Sequence, residues 1–144
     1  APDAQIKATV YFSKNPDSTS NPTVVYAVER SLDSTATPEL VVSQLIAGPT
    51  QDEKSSGFYG GIELTGASNC GNKDFKVALN GDSVTLQFCR DHVSGGPVQD
   101  AREQAQIVNS LKKLTGVTKV EILNQKNNCL FGANSLGVCV TETN

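Results

Sequence analysis

Apolar and polar residues alternate in two segments near the start of the chain, and a period of two is typical of β-strands. The first segment, IKATVYFSK at 6–14, and the second, TVVYAVERSL at 23–32, are rich in β-branched and aromatic side chains. Between them lies NPDSTSNP at 15–22, which has the composition of a turn. The pattern therefore predicts two strands that form a hairpin with a long loop.

The hydrophobic spacing becomes helical in the next segment, where one apolar face is formed by Leu40, Val41, Leu45 and Ile46. Thr37 is a favourable N-cap, and Pro38 suits the first helical position. We expect Gly48 to end this helix as a left-handed cap, and Pro49 prevents the helix from continuing.

A second helical turn is predicted directly after Pro49. Thr50 and Glu53 stand three residues apart, which is the spacing of a capping box, where each side chain bonds the backbone amide of the other residue. The turn is expected to run to about Ser56 and to leave through Gly57 with a positive φ. We therefore interpret this set as a structural corner rather than a catalytic site: Gly48, Pro49, Thr50, Glu53 and Gly57.

The segment FYGGIEL at 58–64 is expected to be extended. A second hairpin is predicted at 75–88, because the dipeptide Asn80-Gly81 between two β-rich runs is a strong hairpin signal. A loop is expected at 91–97.

A longer helix is predicted at 99–116, with Gly116 as its C-terminal cap. Its apolar stripe consists of Ala101, Ala105, Val108 and Leu111, widened by Ile107 and Leu114. Asp100 and Glu103 repeat the capping-box spacing near its start. A last strand is expected at 117–123.

The chain has four cysteines, whose spacing differs from that of paired zinc ligands. An even number of cysteines without metal spacing indicates disulfides and an oxidising compartment. Three pairings are open, and we favour the local one, Cys70–Cys89 at the open end of the second hairpin with Cys129–Cys139. Four buried thiols in a cytosolic protein remain the alternative.

The 144 residues suit a single domain, 1–144, with a core of its own. A net charge of -3 without a basic cluster argues against a nucleic-acid partner. The longest apolar run is too short for a transmembrane helix. The opening APDAQIKATV lacks an initiator Met and an apolar leader, which suits either a removed signal peptide or a trimmed start.

Candidate catalytic residues are few, and His92 is the only histidine. Asp91 and Ser94 stand beside it in one loop, whereas a catalytic triad is assembled across a fold. We therefore expect His92 to be a solvated loop residue. Glu63, Asp82 and Asp91 are conceivable partners for sugar hydrolysis, a chemistry that needs two carboxylates at a set separation. No catalytic residue, metal or cofactor is assigned.

The order of these elements, together with six short motifs, resembles the GerMN domain, the sporulation and spore-germination family of bacterial envelope proteins. The motifs are VYF at 10–12, ER at 29–30 followed by Leu32, LIAGPTQDEKSSG at 45–57, VTLQF at 84–88, QAQIVNSL at 104–111 and GVTKVEI at 116–122. The Gly-Pro-Thr element with its following Glu53 and Gly57 is the most specific of them. The resemblance covers a core of 6–123 and leaves a Gly- and Asn-rich extension at 124–144, expected to be irregular and pinned by Cys129–Cys139.

The resemblance implies an α+β fold: a small mixed sheet with the two main helices packed on one face, similar to ring-building motifs of secretion and sporulation channels. It also implies an extracytoplasmic location and a non-catalytic role in protein interaction, self-association or assembly at the bacterial cell envelope, with peptidoglycan as a further candidate partner.

Two other functions stay open at this point. A cell-wall glycan binder or weak peptidoglycan hydrolase is motivated by Phe58 and Tyr59, whose rings could stack on a sugar. A secreted inhibitor on a disulfide scaffold is disfavoured by the low density of cysteines.

Overall fold

The computed structural model describes residues 6–32, 37–131 and 140–142, which form an α+β fold of the predicted class. Its strands are β1 (Ile6–Lys14), β2 (Tyr26–Leu32), β3 (Phe58–Tyr59), β4 (Leu64–Thr65), β5 (Phe75–Asn80), β6 (Ser83–Phe88), β7 (Asp91–His92), β8 (Lys119–Leu123) and β9 (Val140–Glu142). Its helices are α1 (Asp17–Ser20), α2 (Pro38–Ala47), α3 (Gln51–Ser55) and α4 (Pro97–Thr115).

The described strands are arranged in three sheets. One has the order β2-β1-β3, a second pairs β4 with β7, and the third has the order β5-β6-β8-β9. In the third sheet β6 and β8 run parallel, whereas β5 and β9 are antiparallel to their neighbours. The mixed sheet expected from the sequence is therefore this four-stranded one, and two smaller sheets accompany it.

The first hairpin forms as predicted, with Val10 opposite Val28. Its second strand starts at Tyr26, three residues later than expected, because Asn21 bonds the backbone amides of Thr23 and Val24 and holds them in a turn. The predicted loop also contains the single helical turn α1. Both differences arise from local side-chain bonds that compete with strand pairing.

One apolar core joins the two larger sheets and the two long helices. It contains side chains from β1, α2, β6, α4 and β8, among them Phe12, Leu45, Phe88, Leu111 and Val120. Helices α2 and α4 contact each other, and both pack against β1. In the part of the chain that the structure describes, no helix is both long enough and apolar enough to cross a membrane.

The two glycines predicted to cap helices differ in conformation. Gly116 has φ 72° and ψ 12°, which is the expected left-handed cap of α4. Gly48 has φ 82° but ψ -176°, so the prediction of a left-handed cap is wrong in its second angle. The reason is the next helix: the chain has to reach the N-cap Thr50 within two residues, and an extended ψ redirects it at once.

The second hairpin is present, but its turn lies one residue further along than the Asn80-Gly81 signal suggests. Asn80 is still paired with Ser83, so the two turn residues are Gly81 and Asp82. Gly81 supplies the positive φ, 66°, that such a turn needs.

Helix α4 starts at Pro97, two residues before its predicted start, with Gly96 as the N-cap. Asp100 and Glu103 therefore lie inside the helix, and the capping box expected there is wrong. The extension after β8 was expected to be irregular, yet residues 140–142 add a strand, β9, beside β8. Residues 132–139 lie outside the described part.

Candidate functional site

The Gly-Pro-Thr corner is built as the sequence predicts, with α2 and α3 as its two arms. The Thr50 hydroxyl accepts from the Glu53 amide at 3.2 Å, and Glu53 Oε1 accepts from the Thr50 amide at 2.8 Å. Gly48 and Pro49 are buried, and Gly57 has a φ of 102°. The capping role assigned to Thr50 and Glu53 is thus present in the structure.

Arg30 on β2 is the partner of this corner that sequence reasoning missed. Its guanidinium donates to Glu53 Oε1 at 2.7 Å and Oε2 at 3.2 Å, to Gln44 Oε1 at 2.6 Å and to the Gly48 carbonyl at 3.2 Å. It also lies 5.5 Å from the centre of the Phe12 ring. The available signal was the Glu-Arg dipeptide at 29–30, which belongs to the motif set but gives no hint of its distant partner.

The surroundings of Glu53 favour its charged form. Partial burial alone would raise the pKa of Glu53, but hydrogen bonds from Arg30 and the Thr50 amide, with the charge of Arg30, outweigh it and lower that pKa. The carboxylate is therefore committed to holding the corner together.

The aromatic pair proposed to bind sugar, Phe58 and Tyr59, forms β3 and is half-buried. Lys14 Nζ lies 5.0 Å from the centre of the Phe58 ring, and the Arg102 guanidinium lies 5.6 Å from that of Tyr59. A cation thus occupies one face of each ring. Their role in sugar binding stays a prediction.

His92 lies in the interior, so its expected position in a solvated loop is wrong. It forms β7 with Asp91, paired with β4, and its side chain is 5% exposed. Nε2 lies 2.9 Å from Oε1 of Glu103, whose side chain is 2% exposed, and the imidazole packs edge-on against Phe131. The hydrogen bond with Glu103, aided by the charges of Glu103 and Asp100 and opposed by burial, raises the pKa of His92.

Glu103 belongs to a polar row on the buried face of α4, with Gln106 and Ser110 one and two turns further on. Gln106 Nε2 donates to the Ser13 hydroxyl at 3.0 Å, and the Ser110 hydroxyl accepts from the Tyr11 amide at 2.9 Å. Two oxygens in this row are buried without a hydrogen-bond partner, Glu103 Oε2 and Gln106 Oε1. Sequence signal existed, because Glu103 precedes the core residues Ile107 and Leu111 by one and two helical turns.

A cavity of about 410 Å³ lies beside this row. The residues on its wall include Gly60, Gly61, Glu63, Ser94 and Glu103. The wall thus combines apolar residues, two glycines and the largely buried side chain of Glu103.

The structure separates the other candidate residues. Ser94 donates to both carboxylate oxygens of Asp100, at 2.9 and 2.8 Å, and Asp91 Oδ1 accepts from Gln125 at 2.6 Å. Asp82 lies in the turn of the second hairpin, where its backbone carbonyl accepts from the Thr118 amide. These contacts place each group with a partner of its own.

The cysteine pairing is present for the bond that the structure describes. Cys70 and Cys89 form a disulfide with their Cα atoms 5.8 Å apart, at the open end of the second hairpin. Cys139 lies outside the described residues, so the Cys129–Cys139 bond stays a prediction.

Comparison with known proteins agrees with this architecture. A solved structure of the tandem GerMN domains of the sporulation protein GerM from Bacillus subtilis is similar, with a TM-score of 0.60 and 17% sequence identity. The match covers 100% of this chain and 46% of that one, so this chain spans about half of the solved chain, and at this identity the likeness shows a shared fold. No curated protein matches the chain.

The family model described as Germane, sporulation and spore germination, matches residues 9–125. This range contains the Gly-Pro-Thr corner with Arg30, the first hairpin from its fourth residue onward, the second hairpin and α4. The match covers most of the chain, and the chain therefore belongs to the Germane family of sporulation and spore germination.

Proposed function

We propose that this chain is a non-catalytic, extracytoplasmic interaction module of the bacterial cell envelope, and that it associates through the edge of its four-stranded sheet. The observation that carries this proposal is the exposure of Leu79 on β5, where 56% of the residue is accessible. Membership of a family named for sporulation and germination supports a role in the assembly of envelope structures.

The face of β5 that carries Leu79 is apolar along its length. Phe75 and Val77 lie four and two residues before Leu79, so all three side chains point to the same side of the strand. Phe75 and Val77 are half-buried against the core, whereas Leu79 extends beyond it. A cavity of about 600 Å³ borders Phe75 and Val77 on the side of α2. Phe75, Val77 and Leu79 therefore form an apolar strip that runs from the core to the surface, where a partner could cover Leu79.

The backbone of β5 offers a second means of recognition. Among the described strands, β5 pairs with β6 alone, which makes it an edge strand of the sheet. An edge strand can hydrogen-bond an added strand, while pockets for alternate side chains provide specificity. Lys76, exposed between the apolar residues, makes indiscriminate pairing less favourable.

A second copy of the domain is the partner that we favour. The solved relative carries GerMN domains in tandem, so two such domains occur side by side along one chain there. A C2-related pair would place two β5 edges against each other, since a two-fold axis brings identical surfaces together.

The non-catalytic part of the proposal is supported by the partners of the candidate catalytic groups. Ser94 bonds Asp100, while His92 bonds Glu103. A serine nucleophile needs the histidine as its base within hydrogen-bond reach. Glycan binding at Phe58 and Tyr59 stays the second candidate function. A sugar would have to compete with Lys14 for the face of Phe58 and with Arg102 for the face of Tyr59.

The extracytoplasmic location is supported by the Cys70–Cys89 disulfide, because such bonds persist in oxidising compartments. Rapid alkylation of thiols in intact source cells, followed by mass spectrometry, tests the location. Recovery of both cysteines in alkylated form would contradict it.

Sedimentation velocity over a wide concentration range tests the interaction surface. We expect the purified chain to form dimers, and Leu79→Lys to weaken the dimer by at least about tenfold, as a charge at the centre of an apolar contact does. The matched control is Val98→Lys on α4, where a valine of similar exposure, 52%, lies away from β5. A chain that stays monomeric at millimolar concentration, or equal effects of the two variants, would remove the proposal.

A further inference from the structure

Three side chains with metal-binding atoms converge between β7 and the start of α4. They belong to His92, Asp100 and Glu103, and one ligand atom from each lies within 4.8 Å of the others. We propose that they form a binding site for a divalent transition-metal ion of the zinc class. This inference concerns a different part of the molecule from the β5 edge and does not depend on it.

The spacing of His92 and Glu103 already suits two ligands of one ion. Their Nε2 and Oε1 atoms are 2.9 Å apart. Two ligands at about 2.0–2.1 Å from zinc, at angles between octahedral and tetrahedral, are about 2.9–3.4 Å apart. A metal ion can therefore bind both atoms without a change in their separation, provided that the imidazole turns so that Nε2 faces the ion.

An independent observation at the same place is the second oxygen of Glu103. Oε2 is buried and accepts no hydrogen bond, although a carboxylate oxygen removed from water loses several possible bonds. The side chain is 2% exposed, so bulk water does not satisfy this atom. A metal ion bound by the carboxylate would supply the missing interaction.

The local charge also favours a dication. Two carboxylates, Asp100 and Glu103, face one imidazole, so even with His92 protonated the cluster carries a net charge of -1. A dication with a neutral imidazole would bring the sum to zero. Burial makes an unbalanced charge costly, so the cluster with a bound dication and no net charge is favoured over the cluster with a net charge of -1.

Supporting contacts hold these side chains in place, as a metal site requires. The Ser94 hydroxyl donates to Asp100, and the Phe131 ring packs against the imidazole. Asp100 is half-buried, and one of its carboxylate oxygens lies within 4.8 Å of the ligand atoms of His92 and Glu103. Of the three ligand residues, Glu103 also borders the cavity of about 410 Å³, together with Ser94.

The ligand types select the metal. One imidazole nitrogen with two carboxylates suits zinc, which accepts both donors, and disfavours magnesium and calcium, which prefer oxygen alone.

Titration with zinc chloride tests the site in the oxidised chain under non-reducing conditions, where cysteine thiols do not compete. Calorimetry should show saturable one-to-one binding, and magnesium chloride should produce none. Because His92 is the only histidine, the imidazole nitrogens in an NMR spectrum report on it directly. We expect the signal of Nε2 to shift on saturation with zinc.

Asp100→Asn and His92→Gln should each weaken zinc binding by about tenfold or more. Asp100→Asn is the safer variant, since Asp100 is half-buried and its loss leaves the buried pair intact. Asp91→Asn is the control. It removes a negative charge from the residue next to His92, but the side chain of Asp91 points to the opposite side of β7 from that of His92. The site is disproved if micromolar zinc shows no one-to-one binding, if the imidazole signals stay unchanged, or if Asp91→Asn weakens binding as much as Asp100→Asn.

Discussion

Arg30 shows how one side chain can fix the relation between a sheet and two helices. It starts on β2 and reaches Gln44 near the end of α2, the Gly48 carbonyl at the corner, and Glu53 in α3. The Gly48 carbonyl is one of the groups that the end of α2 leaves without a helical partner. Arg30 therefore satisfies a helix end and a capping carboxylate at the same time.

This contact predicts a specific dependence of stability on acid. The pKa of Glu53 is lowered in the folded chain, so the unfolded chain takes up a proton first as the pH falls. The stabilisation by Glu53 is complete above its ordinary value of 4.5 and is lost as the pH falls through the lowered folded pKa. Glu53→Gln should cost about 1–3 kcal/mol at pH 7, because it weakens a charged hydrogen bond, and clearly less near pH 3.

Urea denaturation of the two proteins at both pH values measures this difference. Asp52→Asn serves as the control, since it removes a neighbouring exposed carboxylate that takes no part in the contact with Arg30. A cost of Glu53→Gln that is the same at pH 7 and pH 3 would show that the charge of Glu53 is not what holds the corner.

At the scale of elements, the close approach of α4 to the segment after β3 depends on a glycine. A Cβ added at Gly60 would lie 2.7 Å from Gln106 Nε2 and 2.8 Å from its Oε1. Gln106 is fully buried and bonded to Ser13, so its amide cannot move aside freely. Gly60→Ala should therefore destabilise the chain by roughly 1–3 kcal/mol through overpacking, in addition to the strain of its φ of 143°.

Two comparisons separate the packing cost from the backbone cost in thermal or urea unfolding. Gly71→Ala introduces a Cβ at another positive φ, 70°, with no atom within 4 Å. In a double-mutant cycle with Gln106→Ala, the cost of Gly60→Ala should fall, because the clashing amide is gone. An unchanged cost in that background would mean that Gln106 does not set the distance between the two segments.

Elements whose signals are local could be predicted from the sequence, and contacts between distant elements could not. The capping box of α3 and the Pro38 start of α2 depend on residues within one turn of each other. The Arg30–Glu53 contact joins residues 23 positions apart, and nothing near either residue indicates the other. His92 was misjudged for the same reason, because its burial depends on α4 packing over a two-residue strand.

At the scale of the whole molecule, the sequence motifs sufficed for the family and the α+β class but not for the division into three sheets. The parallel pairing of β6 with β8 joins positions 36 residues apart, with α4 between them. Such a pairing depends on the core that the two larger sheets share with α2 and α4. This core includes Leu86, Ile107 and Ile122. The pattern of a single strand shows that it is buried, but not which strand lies beside it.

The Cys70–Cys89 disulfide ties an irregular loop to the end of this core. Cys89 is fully buried, whereas Cys70 lies in a loop that the chain also holds by backbone bonds from Asn69 to Cys89 and from Cys89 to Asp74. The bond closes a loop of sequence separation 19, for which chain entropy predicts a stabilisation of about 3 kcal/mol. Replacing both residues, Cys70→Ala with Cys89→Ala, should lower the free energy of unfolding by that amount in oxidising buffer.

The same variant should keep the fold, because the two strands of the second hairpin stay paired and β6 stays buried in the core without the bond. Amide hydrogen exchange should thus accelerate in the loop around Cys70 and remain slow at Leu86 in β6, whose side chain is buried. Oxidising buffer is the appropriate condition, since a reductant would act on every cysteine of the chain at once, including Cys129 and Cys139. A loss of stability well below 1 kcal/mol would mean that the backbone bonds alone hold the loop, and the bond would then contribute little to folding.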